Sequence, residues 1–104
     1  MSFKPKVALS NDFLLQLAKL PAKVHTKVMK WAIQFQADPK SLGINYENIN
    51  GARDPNLKSV RLDGDWRGIV FKPSTGDVYV LLYVDRHDVA YRWAENRKLT
   101  INPV

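Results

Sequence analysis

Cysteine is absent from the chain, which excludes disulfides and any metal site built on thiolates. No segment approaches the roughly 18 consecutive apolar residues that a membrane-spanning helix needs. Nor does the chain open with a basic start, an apolar core and a small-residue cleavage site. Together these absences predict a cytoplasmic protein with no membrane partner. There is no glycine-rich loop ending in Lys-Ser or Lys-Thr, so a nucleotide-phosphate cradle of that kind is excluded. Arginine is missing from the first 52 residues, and all six (Arg53, Arg61, Arg67, Arg86, Arg92 and Arg97) follow. Because a guanidinium grips phosphate at two points while a lysine ammonium acts as a point charge, the later half is expected to make the specific anion contacts.

The 104 residues suffice for one modest core, so residues 1–104 are expected to form a single domain. Sixteen Lys and Arg against ten Asp and Glu leave a formal charge of +6, which favours a polyanionic partner. Phe3 to Leu9 alternates Phe3, Val7 and Leu9 against Lys4, Lys6 and Ala8, predicting a strand with one wet face that Pro5 confines to a sheet edge. Ser10-Asn11-Asp12 supplies capping side chains for a first helix through Phe13, Leu14, Leu17 and Ala18. After Pro21, a second helix carries Val24, Val28, Trp31 and Phe35 on one stripe, read as a core face with Trp31 and Phe35 buried. His25 lies off that stripe and reads as surface. Between Ala37 and Gly51, turn formers mix with Leu42, Ile44, Tyr46 and Ile49, which predicts a loop pinned to the core by those four side chains.

The later half reads as an antiparallel meander. Leu57 to Leu62 is a strand with Lys58, Val60 and Leu62 on one face and Ser59 and Arg61 on the other. The Asp63-Gly64 dipeptide marks a tight hairpin into Trp66 to Lys72, where Arg67, Ile69 and Phe71 alternate with Trp66, Gly68 and Val70. Pro73 to Asp77 turns again into Val78 to Val84, apolar on both faces and predicted to be the central strand. That run ends in Asp85-Arg86-His87-Asp88, a charged turn into a short helix with Val89, Ala90, Trp93 and Ala94 at helical spacing. The expected fold is therefore α+β in the order βααβββα. It has a four-stranded, mainly antiparallel sheet with the two N-terminal helices packed on one face.

This order resembles the RelE/ParE toxin superfamily, as do Gly51 to Leu62, Trp66-Arg67-Gly68-Ile69-Val70, and the strand ending Val84-Asp85-Arg86-His87-Asp88 with Tyr91 beyond it. The resemblance covers nearly the whole chain. It implies a basic sheet carrying a ribosome-dependent messenger-RNA endonuclease site that uses no metal or other cofactor. Carried over by position, Arg61 and Arg67 match basic positions of the second and third strands. His87 falls where RNase members carry arginine or histidine, and Tyr91 falls near their C-terminal tyrosine. Ser59 stands where one branch has a lysine, and Asp85 and Asp88 flank His87. The stretches Asp85 to Ala94 and Leu99 to Val104 also look like the RelE-like module at the front of some UvrD-type DNA helicases. The ending Asn102-Pro103-Val104, with no evident terminal cap, reads as a domain boundary inside such a longer chain.

The residue chemistry stands apart from the likeness. Cleaving RNA with its own 2′-hydroxyl requires a base, a proton for the departing 5′-oxygen and fixed positive charge for the phosphorane-like transition state. Arg61 and Arg67 suit the charge, the imidazole of His87 suits proton transfer, and Tyr91 lies one helical turn from it. Arg53, Lys58, Arg86 and Arg92 are the further candidates for nucleic-acid contact. The competing assignment makes Arg67 a partner of Asp63 or Asp65 across the hairpin and Tyr91 a core residue. The expected partners are RNA or the ribosome, with an acidic antitoxin peptide or fused helicase domains as alternatives.

Overall fold

The computed structural model describes residues 5–97. The elements run β1 (Lys6–Leu9), α1 (Asn11–Lys19), α2 (Ala22–Ala37), β2 (Glu47–Asn48), β3 (Leu57–Asp63), β4 (Trp66–Phe71), β5 (Val78–Arg86) and α3 (His87–Glu95). Phe3 and the ending Leu99 to Val104 lie outside the described residues. The α+β class and the meander are as the alternation predicts, and the sheet gains a strand. Glu47 and Asn48 pair antiparallel with Ser59 and Lys58, giving five strands in the order β1-β5-β4-β3-β2. A two-residue strand has no periodicity to betray it. The middle position belongs to β4, while β5 sits between β4 and a parallel β1.

The hairpin between β3 and β4 turns at Gly64, whose φ of 51° is the positive value that Asp-Gly turns require. Where β4 meets β5 the register slips: Ile69 faces Tyr83, but Val70 faces Leu81. Leu82 is thus an extra residue, and this bulge reverses the alternation of the strand beyond it. Leu81 and Val84 consequently enter one core, while Leu82 and Tyr83 join the other. Strict period-two alternation would instead put Val84 on one face with Val80 and Leu82.

Each face of the sheet carries its own core. On one face Phe13, Val24, Val28 and Phe35 of α1 and α2 pack against Val60, Val70, Tyr79, Leu81 and Val84. On the other, Ala90 and Ala94 of α3 lie on Leu57, Ile69, Phe71 and Leu82, the small alanines letting the helix approach the strands. Ser10 caps α1 as predicted, its side chain accepting the Phe13 N–H at 3.0 Å. The same residue starts a seal along the free edge of β5. Ser10 N–H and Oγ–H donate to the Leu81 and Leu82 carbonyls at 2.9 and 2.7 Å, and Gln16 Nε2 donates to the Val84 carbonyl at 3.3 Å. Helix α1 therefore covers the edge that β1 is too short to reach, which blunts a site of unwanted strand pairing.

Two apolar expectations need correction. Leu42 is 97% exposed, so the loop after α2 is pinned by Ile44 and Ile49, with Tyr46 half-buried. Trp31 is half-buried rather than enclosed, lying over the β4 backbone at Gly68, where an added Cβ would come 3.1 Å from its ring. His25, read as surface, is half-buried as well.

Phe35, fully buried with Trp31, Tyr46 and Tyr79 around its ring, is the packing centre of the first core. Phe35→Ala should cost about 3–5 kcal/mol in urea unfolding. Leu42→Ala should stay within about 0.5 kcal/mol, and a larger loss would mean that Leu42 packs. A second outcome concerns alkali. Burial, then the neighbouring Tyr79 and Asp38, push the Tyr46 hydroxyl well above its ordinary range, and that hydroxyl donates to the Pro39 carbonyl. The folded chain thus holds the proton more tightly than the unfolded one, so the stability linked to it is complete below about pH 10 and is lost as pH rises further. Tyr46→Phe should flatten that fall in unfolding curves taken above about pH 10.

Candidate functional site

Arg61 and Arg67 face each other across β3 and β4, with Asp85 of β5 opposite Arg67 on its other side. By the alternation of the strands, these three point to the α3 side of the sheet. Strand β5 runs through Asp85 and Arg86 into α3, which begins at His87. The predicted charged turn is therefore strand end and helix start in direct succession. No side chain caps the helix, whose N-cap is Arg86. Instead the His87 N–H donates to the Asp65 carbonyl of the hairpin at 2.7 Å, which fixes the start of α3 against the β3–β4 turn.

His87 is held by its ring as well. One turn along α3, the Tyr91 ring lies 4.2 Å from the imidazole, tilted by 30°. Nδ1 of His87 is 3.0 Å from a carboxylate oxygen of Asp88. Since an ionised carboxylate only accepts, this contact calls for the proton on Nδ1 and leaves Nε2 as the free nitrogen of the neutral ring. Tyr91 is anchored in turn: its hydroxyl is 2.9 Å from Ser59 Oγ, and Ser59 is fully buried on β3, two residues before Arg61.

The two arginines differ sharply. Arg61 is exposed, and its side chain makes no hydrogen bond or ion pair among the described residues. Arg67 is only 8% exposed, and its Nη1 donates to the carbonyls of Gly64 at 2.6 Å and Trp66 at 3.1 Å. Its guanidinium braces the hairpin through main-chain oxygens, not through the carboxylates of Asp63 or Asp65. Asp63 is engaged by Lys27 at 2.9 Å. Asp85 accepts from Gln16 Nε2 at 2.9 Å and from the Arg86 N–H at 2.7 Å, so its charge is partly answered within the fold.

The structure thus brings Arg61, Arg67, His87 and Tyr91 to one side of the sheet. The other basic candidates are spread over both sides of the sheet. Lys58 alternates to the α1–α2 side and donates to Asn48 at 2.5 Å. Arg86 lies over the Trp66 ring at 5.0 Å, beside that same core. Arg53 is exposed near the far end of α3, where its main-chain N–H donates to the Glu95 carbonyl, and Arg92 is exposed on the helix. Sequence reasoning missed Ser59 as a member of the site. The available signal was a small hydroxyl between Leu57 and Arg61 on its strand face, whereas its partner 32 positions away could not be read from spacing. Among the described residues, no group of three or more His, Asp or Glu side chains is placed to hold a metal ion.

Taken together, the mixed sheet, the paired N-terminal helices on one face and the short C-terminal helix on the other define a RelE-like α+β domain. No protein-family model matches the sequence, and no curated protein does. Solved structures do match. The archaeal RelE–RelB complex from Pyrococcus horikoshii is 19% identical with a TM-score of 0.60, over 82% of this chain and 97% of that one. The RelB–RelE antitoxin–toxin complex from Methanococcus jannaschii is 17% identical with a TM-score of 0.62, over 83% and 96%. A free E. coli RelE toxin carrying two arginine-to-alanine changes is 14% identical with a TM-score of 0.59, over 89% and 94%. At these identities the chain shares the RelE fold, and its chemistry has to be argued from its own residues.

The contrast between the arginines is measurable. Arg67→Ala should destabilise by about 1–3 kcal/mol, because it removes a buried side chain together with the donor to the Gly64 and Trp66 carbonyls. Arg61→Ala should change stability by less than about 0.5 kcal/mol. Equal values in chemical denaturation would remove the hairpin-brace role of Arg67.

Proposed function

We propose that this chain is a RelE-type toxin domain that cuts ribosome-held messenger RNA without a metal. The observation that carries the reading is the His87–Tyr91 ring pair on the same sheet face as the unpaired Arg61, within a RelE-like fold. In this reading Arg61 grips a non-bridging phosphate oxygen and stabilises the charge that grows there. Nε2 of His87 takes the proton from the 2′-hydroxyl, whose oxygen attacks phosphorus. The bond from phosphorus to the 5′-oxygen breaks, and that oxygen takes its proton from solvent. A 2′,3′-cyclic phosphate remains on one fragment. Tyr91 keeps the imidazole in place, and Arg67 acts from behind by holding the hairpin whose Asp65 carbonyl accepts from His87. Arg53, Lys58, Arg86 and Arg92, spread over both faces, add diffuse attraction for a polyanion rather than a specific grip.

The partner of such a toxin is an antitoxin, as in the RelE–RelB complexes that share the fold. With a net charge of +6, an acidic extended segment is the complementary occupant. A second reading rests on the carboxylates of Asp85 and Asp88 beside His87 and on the withdrawal of Arg67 into the hairpin. Both weaken the site for phosphate chemistry. They favour a non-catalytic module that binds nucleic acid or a neighbouring domain, as at the front of a UvrD-type helicase.

Induced expression should arrest translation, and His87→Ala and Arg61→Ala should each relieve the arrest. Cleavage of ribosome-bound message by the purified domain should persist in chelator and fall by about a hundredfold or more in each variant. Salt-sensitive RNA binding by a wild-type domain that cleaves nothing would select the second reading.

A further inference from the structure

Ser59 is a costly choice of residue for its position. It is fully buried in mid-strand, on a face where Leu57 and Ile69 are apolar, and serine lacks the branched or aromatic bulk that packs well on a pleated surface. A buried hydroxyl also loses its water and must find a partner. Its side-chain partner is the hydroxyl of Tyr91, at 2.9 Å. Tyr91 is only half-buried, so water at the surface could have served it without Ser59. A valine at 59 facing a phenylalanine at 91 would fill the same space with no polar group to satisfy. The pair therefore does little for stability that apolar packing would not do better. It does locate the Tyr91 ring, since a hydroxyl bonded to a rigid strand fixes the side chain at its far end. That ring is the wall against which His87 lies, 4.2 Å away.

We propose that Ser59 is a positioning residue, which anchors Tyr91 to β3 and through the tyrosine ring sets the orientation of the His87 imidazole. The consequence for cleavage rests on the endonuclease reading above; the positioning itself does not. Two constraints then converge on the histidine. Its main chain is tied to the hairpin through the Asp65 carbonyl, and its ring is held between Tyr91 and the Asp88 carboxylate. Strand β3 supplies both Arg61 and, two residues earlier on the same face, the hydroxyl that aligns the imidazole. A single rigid element therefore sets the phosphate grip and the proton acceptor relative to each other, which is the preorganisation that a cleavage site requires.

The test begins with the free protein and needs no activity. The ring protons of His87 lie over the Tyr91 ring and should carry upfield ring-current shifts in the proton spectrum, with Tyr91→Leu as the zero reference and His25 as the internal control. Ser59→Ala and Tyr91→Phe should both lose much of that shift while keeping a folded amide spectrum. Ser59→Thr, which retains the hydroxyl, should keep it. If Ser59→Ala fails to fold, Tyr91→Phe alone decides, because it keeps the ring and removes only the bond. Unchanged His87 resonances in whichever of these two folds would overturn the proposal. In ribosome-dependent cleavage, Ser59→Ala should lower kcat about tenfold with KM unchanged, and Ser59→Thr should restore it. A wild-type domain that cleaves nothing would remove the endonuclease reading, and the histidine resonances would still decide the role of Ser59.

Discussion

The bulge at Leu82 is the constraint on which the architecture turns. One extra residue in β5 reverses the side-chain alternation halfway along the strand, so that Leu81 and Val84 both reach the α1–α2 core while Leu82 and Tyr83 both reach the α3 core. A strand in perfect register would send Val84 to the α3 face and Asp85 toward the α1–α2 core, where a carboxylate would have to be desolvated. With the bulge in place Asp85 emerges opposite Arg67, within reach of Gln16 at the sealed edge. The same reversal directs the strand into α3, whose alanines lie on the sheet and whose first residue is His87.

The hairpin between β3 and β4 is the second fixed body. A buried guanidinium costs a great deal unless its donors are satisfied, and Arg67 meets that demand with two carbonyls of the turn itself. What looks by sequence like a pair of phosphate-binding arginines is thus divided by burial into a structural member and an open one. The turn that Arg67 stiffens then receives the His87 N–H. A residue enclosed in the hairpin can in this way govern where the histidine stands. Charge in this molecule is accordingly a poor guide to function without burial: of the two arginines that face each other across β3 and β4, Arg61 is exposed and Arg67 is enclosed.

The RelE-like fold, shared at under 20% identity with the solved toxins named above, rests on the pattern of burial more than on particular residues. What the chain does with that scaffold depends on a handful of side chains around α3. Here a Ser-Tyr pair stands behind the imidazole and a carboxylate sits on its Nδ1. That arrangement suits a proton acceptor, and it also brings negative charge to a place that a phosphate would occupy under the endonuclease reading. These opposing features are local and electrostatic, and the backbone is indifferent to them.

From the order of residues alone follow the element sequence, the two apolar stripes of the N-terminal helices, the Asp-Gly hairpin and the faces of β3 and β4, because each depends on short-range periodicity and turn chemistry. Arg61, Arg67, His87 and Tyr91 could be named as candidates from residue type and the resemblance, whereas their placement on one side of the sheet comes from the strand register. Only the packed chain decides the rest. Strand β2 is too short to carry a period, and Leu42 is apolar yet projects into solvent. The bulge is a register choice made between β4 and β5, which neither strand states on its own. The Ser59–Tyr91 bond spans 32 residues and the Ser10 seal spans 72, so both come into being only when distant segments dock. Local patterns report what a segment prefers. Burial and long-range hydrogen bonding depend on which segments meet, and in this protein those meetings decide which arginine is free and how the histidine is held.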